Sequence, residues 1–354
     1  MLMSYLISRL KNRHILVGTV IAAICVVAYG GYCLGLVVQK DRYSNFLKSF
    51  KNIREGSDVY SFINPLTGGT SAAATDVGIY TDIKSDIVTY LKKEIASGDL
   101  YDYSFYFRDL NTGLWFGINE STDFFPASLF KLPIALSVYK QGEKDLLFLK
   151  KVIPYTQEIA TRNSSIKENS KSILVVGKTY SVEDLVKIML VSSDNGAKDL
   201  LLYNLDSKYV DQLFSIISLI NQNSKNIYTI SSIKYAYFMR ILYSSSYLNE
   251  EHSELILSYL AKSTFKEGLV AGLPKGVAVA HKYGAYDFEE SVNGIRTKVQ
   301  QLHDCGIVYH SQKPYIFCLM TKGHDDKTLY KILSHVSLMV YDYQEANEHD
   351  DVSQ

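Results

Sequence analysis

The stretch from Ile15 to Val38, ILVGTVIAAICVVAYGGYCLGLVV, carries no charged residue. It exceeds the roughly 20 apolar residues that a helix needs to cross a bilayer core. A backbone in hydrocarbon must satisfy its own hydrogen bonds, so a single helix is the form open to such a run. The run is longer than the roughly 7–15 apolar residues of a cleavable signal peptide. Tyr32 is bulky where a lipid-attachment signal ahead of Cys33 would carry a small residue. The reading is a short N-terminal segment, 1–14, followed by one uncleaved transmembrane helix, 15–38. Arg9, Lys11 and Arg13 flank one end, and Lys40, Arg42, Lys48, Lys51 and Arg54 follow the other. Loop charge therefore does not orient the helix, and large domains translocate largely regardless of charge.

Residues 39–76 read as a stalk, because GSDVYSFINPLTGGTSAAATD is rich in Gly, Ser, Thr and Ala and has no apolar period. Residues 77–346 read as one folded domain, and 347–354 as a polar, frayed tail. Lys plus Arg and Asp plus Glu are equal at 37 each. That balance provides no basic face for nucleic acid. There is no C-x-x-C pair and no histidine cluster with ligand spacing, so neither a metal nor another cofactor is expected. Cys305 and Cys318 fall on two adjacent expected strands. They either pair as a disulfide or stay two buried thiols, since a one-residue change of register puts them on opposite faces.

The domain mixes both hydrophobic periods. Residues 77–97 read as a helix, and YDYSFYFRDL and LWFGIN as strands joined at Asn111-Thr112-Gly113. An apolar helix is expected to open at about Ser128, and Ser181-Val182-Glu183-Asp184 is a capping box for another. VAVAHKYGA, DCGIVYH and PYIFCLMTK read as three late strands before a closing helix, DKTLYKILSHVSLMVYDY. Strands at both ends with helices between imply an antiparallel sheet flanked by helices, an α+β arrangement.

Six S-x-x-K sequences occur, starting at Ser8, Ser128, Ser137, Ser164, Ser231 and Ser263. Context selects Ser128, which follows a hairpin and Pro126-Ala127 and opens an apolar helix. Ser128 and Lys131 are then neighbours on one helical face, and a helix start favours a developing anion. Ser193-Asp194-Asn195 follows a later helix, and Lys282-Tyr283-Gly284 lies on a late strand. The order S-x-x-K, S-D-N, K-T-G is the signature of class A β-lactamases and penicillin-binding proteins.

On these motifs the segment 77–345 resembles that family, with FPASLFKLPIAL, YSVEDLVKIMLVSSDNGAKDLLL, AGLPKGVAVAHKYG and HDCGIVYHSQKPYIFCLMTKG each similar to a family segment. The resemblance implies an all-helical lobe beside an α/β lobe with a five-stranded sheet, and a cleft between them. It implies Ser128 as the acylated nucleophile and Lys131 as base, its pKa lowered by desolvation and by Lys282. It further implies Ser193 as proton relay to the leaving nitrogen and Asn195 as a substrate-amide ligand. It also implies that Tyr283, Gly284 and Ala285 line the substrate, with an oxyanion hole from the N–H groups of Ser128 and Ala285.

Two features depart from the family. The interval from Ser193 to Lys282 is short, and between Asp199 and Ser232 there is no Glu to activate a deacylating water; Asp206 and Asp211 stand in no recognisable version of that motif. Tyr283 replaces the Thr or Ser whose hydroxyl grips a substrate carboxylate. The first functional reading is a membrane-anchored serine hydrolase, β-lactamase-like or D-Ala-D-Ala carboxypeptidase-like, acting on β-lactams or peptidoglycan-like peptides outside the cytoplasm. A penicillin-binding sensor or sink that deacylates poorly is the second, and a non-catalytic binding scaffold the third.

Overall fold

Side chains along Leu100–Asp109 (β1) alternate between two layers, as strand geometry requires. Phe105 meets Phe317 at 5.3 Å between ring centroids, and Phe107 meets Tyr80 at 5.0 Å. In the opposite direction Ser104 hydrogen-bonds Ser232 at 2.7 Å. This computed structural model describes residues 53–54, 60–64, 66–68, 79–164, 172–217, 221–222, 228–292, 295–311 and 313–347. The chain turns at Gly113, whose φ of 78° suits glycine, into Trp115–Ile118 (β2). Asp109 accepts the N–H groups of Asn111 and Thr112 at 2.8 and 2.7 Å and closes that turn.

Three further strands, Ala278–Val292 (β3), Ile295–Tyr309 (β4) and Tyr315–Gly323 (β5), complete an antiparallel sheet of order β3-β4-β5-β1-β2. The sequence reading stopped β3 at Ala285, but its ladder with β4 continues to Val292. Asp287, Glu289 and Glu290 end the apolar run there, and edge pairing does not need one.

The helices are Thr81–Ala96 (α1), Lys131–Lys144 (α2), Gln157–Ser164 (α3), Val182–Val191 (α4), Asn195–Asn204 (α5), Ser207–Ile217 (α6), Ser232–Tyr243 (α7), Glu250–Ala261 (α8) and Asp326–Ala346 (α9). In α1, Ile83, Ile87 and Leu91 recur every four residues and are buried. Each contributes about 1.5–3 kcal/mol. With α9 this helix covers one face of the sheet, while α7 covers the other and joins it to the helical lobe. The capping box forms as expected: Ser181 Oγ accepts the Asp184 N–H at 3.0 Å and donates to its carboxylate at 2.7 Å.

The stalk expected at 39–76 is not free throughout. Glu254 accepts the backbone N–H groups of Ser61, Phe62 and Ile63 at 2.8–3.0 Å, and Phe62 packs edge-on against Tyr309. A buried-facing carboxylate on α8 thus ties residues 61–63 to the domain, which a composition of small residues did not reveal. At the other end, Glu345 and Ala346 complete α9 and Asn347 caps it. Residues 348–354 of the expected tail lie outside the described residues.

Cys305 and Cys318 stand directly opposite each other on β4 and β5 and form a disulfide. Both are buried in the core shared by sheet and helical lobe. Register therefore decides between the two readings. The run 15–38 lies outside the described residues; among those described, no helix is long and apolar enough to cross a membrane.

Candidate active site

Ser128 does not open an α-helix. It sits in a 3₁₀ turn, Ala127–Phe130, that leads into α2 at Lys131. In a 3₁₀ turn residues i and i+3 eclipse, so Ser128 and Lys131 face the same way more closely than α geometry would allow. Lys131 Nζ lies 2.8 Å from Ser128 Oγ. Ala127, just before Ser128, has a φ of 47°. A non-glycine residue held there is strained, and such strain gathers at functional turns.

Ser193 is the second special backbone position, with a φ of 54°. Asp194 beside it caps α5, accepting the Ala197 N–H at 2.8 Å, and also accepts from Ser172 Oγ and the Ile173 N–H. That capping aims Ser193 at the amines. Lys131 Nζ is 2.7 Å from the Ser193 carbonyl and 3.2 Å from its hydroxyl. Lys282 Nζ donates to the same hydroxyl at 2.9 Å and to the Tyr283 carbonyl at 2.9 Å. Neither lysine is solvated: Lys131 is 0% and Lys282 1% exposed. Burial, and next the neighbouring Lys131 amine, push Lys282 well below the ordinary lysine range, while Asp304 pulls it back. Asn195 is the first residue of α5 and half-buried.

Gly284 explains how β3 approaches the turn. A Cβ there would lie 2.8 Å from the Pro126 carbonyl and 3.2 Å from the Ser128 nitrogen, so only glycine allows the edge strand to run so close. Ala285 follows it and is exposed. Tyr283 lies flat on Phe265, with centroids 3.9 Å apart and planes 13° apart. Lys282 Nζ stands over the Tyr283 ring at 4.3 Å.

His303 on β4 buttresses this arrangement. Its Nε2–H donates to the Phe125 carbonyl at 3.0 Å, and its Nδ1 accepts the Thr321 N–H at 3.3 Å. Burial pushes its pKa down to about 4. The unfolded chain binds a proton here at about pH 6.5 and the native chain only near 4. The associated stability is fully present above about pH 6.5 and is lost as pH falls towards 4, about 3 kcal/mol in all. His303→Gln, which keeps an N–H for Phe125, is expected to flatten that part of the pH profile. Urea unfolding of both proteins at pH 7.5 and 4.5 checks it; equal losses in both would refute the assignment.

The sequence matches the family described as "Beta-lactamase enzyme family" over residues 86–344. The chain belongs to the β-lactamase enzyme family. Comparison with curated proteins gave no match. Among solved structures, this family member is similar to an acyl-enzyme complex of a PBP-A mutant with penicillin G, at 21% identity and a TM-score of 0.62, covering 75% of this chain and 97% of that one. The TLA-1 extended-spectrum β-lactamase is similar at 19% identity and 0.62, covering 75% and 98%. A class A β-lactamase from Bacteroides cellulosilyticus matches at 19% and 0.61, also covering 75% and 98%. At these identities the likeness establishes the fold: a β-lactamase-like α/β arrangement with a five-stranded antiparallel sheet.

The structure brings Ser128, Lys131, Ser193, Lys282, Tyr283 and Gly284 together. Sequence reasoning missed His303, Asp304 and Phe265. Asp304 accepts from His281 Nδ1 at 2.8 Å and from the Leu269 N–H at 3.2 Å beneath Lys282. No local motif marks these residues, because their partners lie far away in sequence; only the alternation of β4 hinted which way they face.

Proposed function

We propose that this protein is a membrane-anchored serine acyl-transfer enzyme that forms a Ser128 acyl-enzyme with β-lactams or D-Ala peptides. The observation that carries the reading is the unbroken chain Ser128–Lys131–Ser193–Lys282, closed by contacts of 2.8, 3.2 and 2.9 Å. To act as the base, Lys131 has to be in its neutral form, with its N–H groups kept on the carbonyl and hydroxyl of Ser193. Its lone pair then faces Ser128 Oγ and takes the hydroxyl proton as Oγ attacks the carbonyl carbon. The C–N bond breaks, and the proton passes through Ser193 to the leaving nitrogen. The N–H groups of Ser128 and Ala285 hold the oxyanion, and Asn195 binds the substrate amide. A fluorescent penicillin is expected to label the wild-type protein covalently, with the adduct on the peptide that carries Ser128. Absence of any adduct would leave the binding-scaffold reading.

The anchor rests on the uncharged run 15–38, and the extracytoplasmic placement on the Cys305–Cys318 disulfide, since disulfides persist in oxidising compartments. The full chain is expected to fractionate with membranes and to leave them when residues 1–40 are deleted. A mature N-terminus beyond Val38, seen by mass spectrometry, would contradict the uncleaved helix.

A further inference from the structure

We infer that Arg108 and Arg240 form a binding site for a phosphate monoester or inorganic phosphate, free or carried on a lipid headgroup, on the face of the sheet that α7 covers. None of its residues belongs to the Ser128 constellation, and the inference does not depend on the acyl-transfer reading.

The two side chains meet because a helix stripe and a strand face run in step. Ser232, at the start of α7, hydrogen-bonds Ser104 on β1 at 2.7 Å. From that contact Arg240 lies about 12 Å further along α7 on the same stripe. Arg108 lies about 13 Å further along β1 on the same face. Burial first, and then the charge of Arg108, push the Arg240 pKa below the ordinary arginine range. Aromatic rings frame the pair. Arg240 stands over the Tyr237 ring at 5.5 Å. Trp115, opposite Arg108 in the β1–β2 ladder, stacks on Tyr106 at 5.4 Å.

Arginines taken out of water are ordinarily paired with carboxylates. Among the described residues neither Arg108 nor Arg240 has such a partner. Asp109, next to Arg108, faces the other layer and is occupied by the N–H groups of Asn111 and Thr112. Glu254 holds the segment whose Asn64 N–H reaches the Tyr243 carbonyl, within one turn of Arg240, and its oxygens are occupied by three backbone N–H groups. Both arginines are half-buried, so solvent still reaches them.

Two cations held together without a counter-charge repel each other until an anion joins them. A phosphate monoester carries nearly two negative charges and three terminal oxygens, which match two guanidinium forks. A carboxylate brings one charge and leaves one arginine unmatched.

Trp115 is the single tryptophan of the chain, so its fluorescence reports on this site. The full chain in detergent at about pH 8, where phosphate is mostly the dianion, is titrated with inorganic phosphate against sodium chloride and sodium acetate at matched ionic strength. A second titration adds dioleoyl phosphatidic acid to the micelles, against dioleoyl phosphatidylcholine. A saturable change is expected with a half-point of about 1 mM or below, and a Tm about 2 °C or more higher at ten times that concentration. A response to inorganic phosphate supports the site with a soluble source, and a response confined to phosphatidic acid supports it with a lipid source. Arg108→Gln and Arg240→Gln are each expected to raise the half-point about tenfold or more. A wild-type protein whose fluorescence and Tm follow ionic strength alone in both titrations overturns the inference, whether or not the variants fold. So does acetate acting as strongly as phosphate, or a folded double glutamine variant that responds as the wild type does.

Discussion

Ser128→Ala is expected to lose all covalent labelling by a fluorescent penicillin, a fall of about 10³-fold or more, while the domain stays folded. The size follows from the geometry. Ser128 is half-buried, and its hydroxyl is 2.8 Å from a buried amine. Removing its oxygen leaves Lys131 still held by Ser193, so no buried polar group is stranded. Ser137→Ala is the control. Ser137 is fully buried, donates to the Pro133 carbonyl at 2.9 Å, and belongs to an S-x-x-K whose lysine, Lys140, is engaged with Glu143 and the Tyr247 carbonyl. That variant is expected to label as the wild type does. An adduct persisting in the Ser128→Ala protein would move the nucleophile elsewhere.

Turnover is expected to stall after acylation, with a Ser128 acyl-enzyme that persists and is visible by intact mass. Hydrolysing the ester needs a water and a base, and such a base is commonly worth about 10²–10⁴ in rate. The two carboxylates singled out in the shortened segment do not supply it. Asp206 is exposed, pairs with Lys208 at 2.6 Å, and its N–H bonds Gln141 on α2. Gln141 is about 15 Å along that helix from Lys131. Asp211 is exposed on α6. Residues 212–231 contain no Asp or Glu. Beside the nucleophile turn this segment instead provides Phe214 and Tyr228, which pack on Phe130 at 5.7 and 6.1 Å. Lys131 is then the base that remains. Stopped-flow acylation followed by time-resolved mass separates the two steps. Steady turnover at the rate of a dedicated β-lactamase would mean that another residue activates the water.

The sequence alone determined what is encoded within a turn or two of chain. The uncharged run 15–38, the Ser181 cap, the Asn111-Thr112-Gly113 turn and the spacing of Ser128 from Lys131 are all local. Local geometry fixes such features wherever the segment ends up. The order of three motifs then sufficed to anticipate the family and its five-stranded sheet. Tertiary structure decided everything that joins distant segments. Ser193 and Lys282 meet Lys131 only because α5 and the edge strand β3 converge on one turn. His303 reaches Phe125 across a sequence separation of 178, and Glu254 captures residues 61–63, which looked like free stalk. The direction of the Tyr283 phenol was likewise not legible, because it depends on Phe265 beneath it. The pairing of Cys305 with Cys318 depends on strand register, where a slip of one residue reverses every side chain. That register is set by the whole ladder from Ala278 to Gly323 and by the helices on both faces, not by the residues around either cysteine.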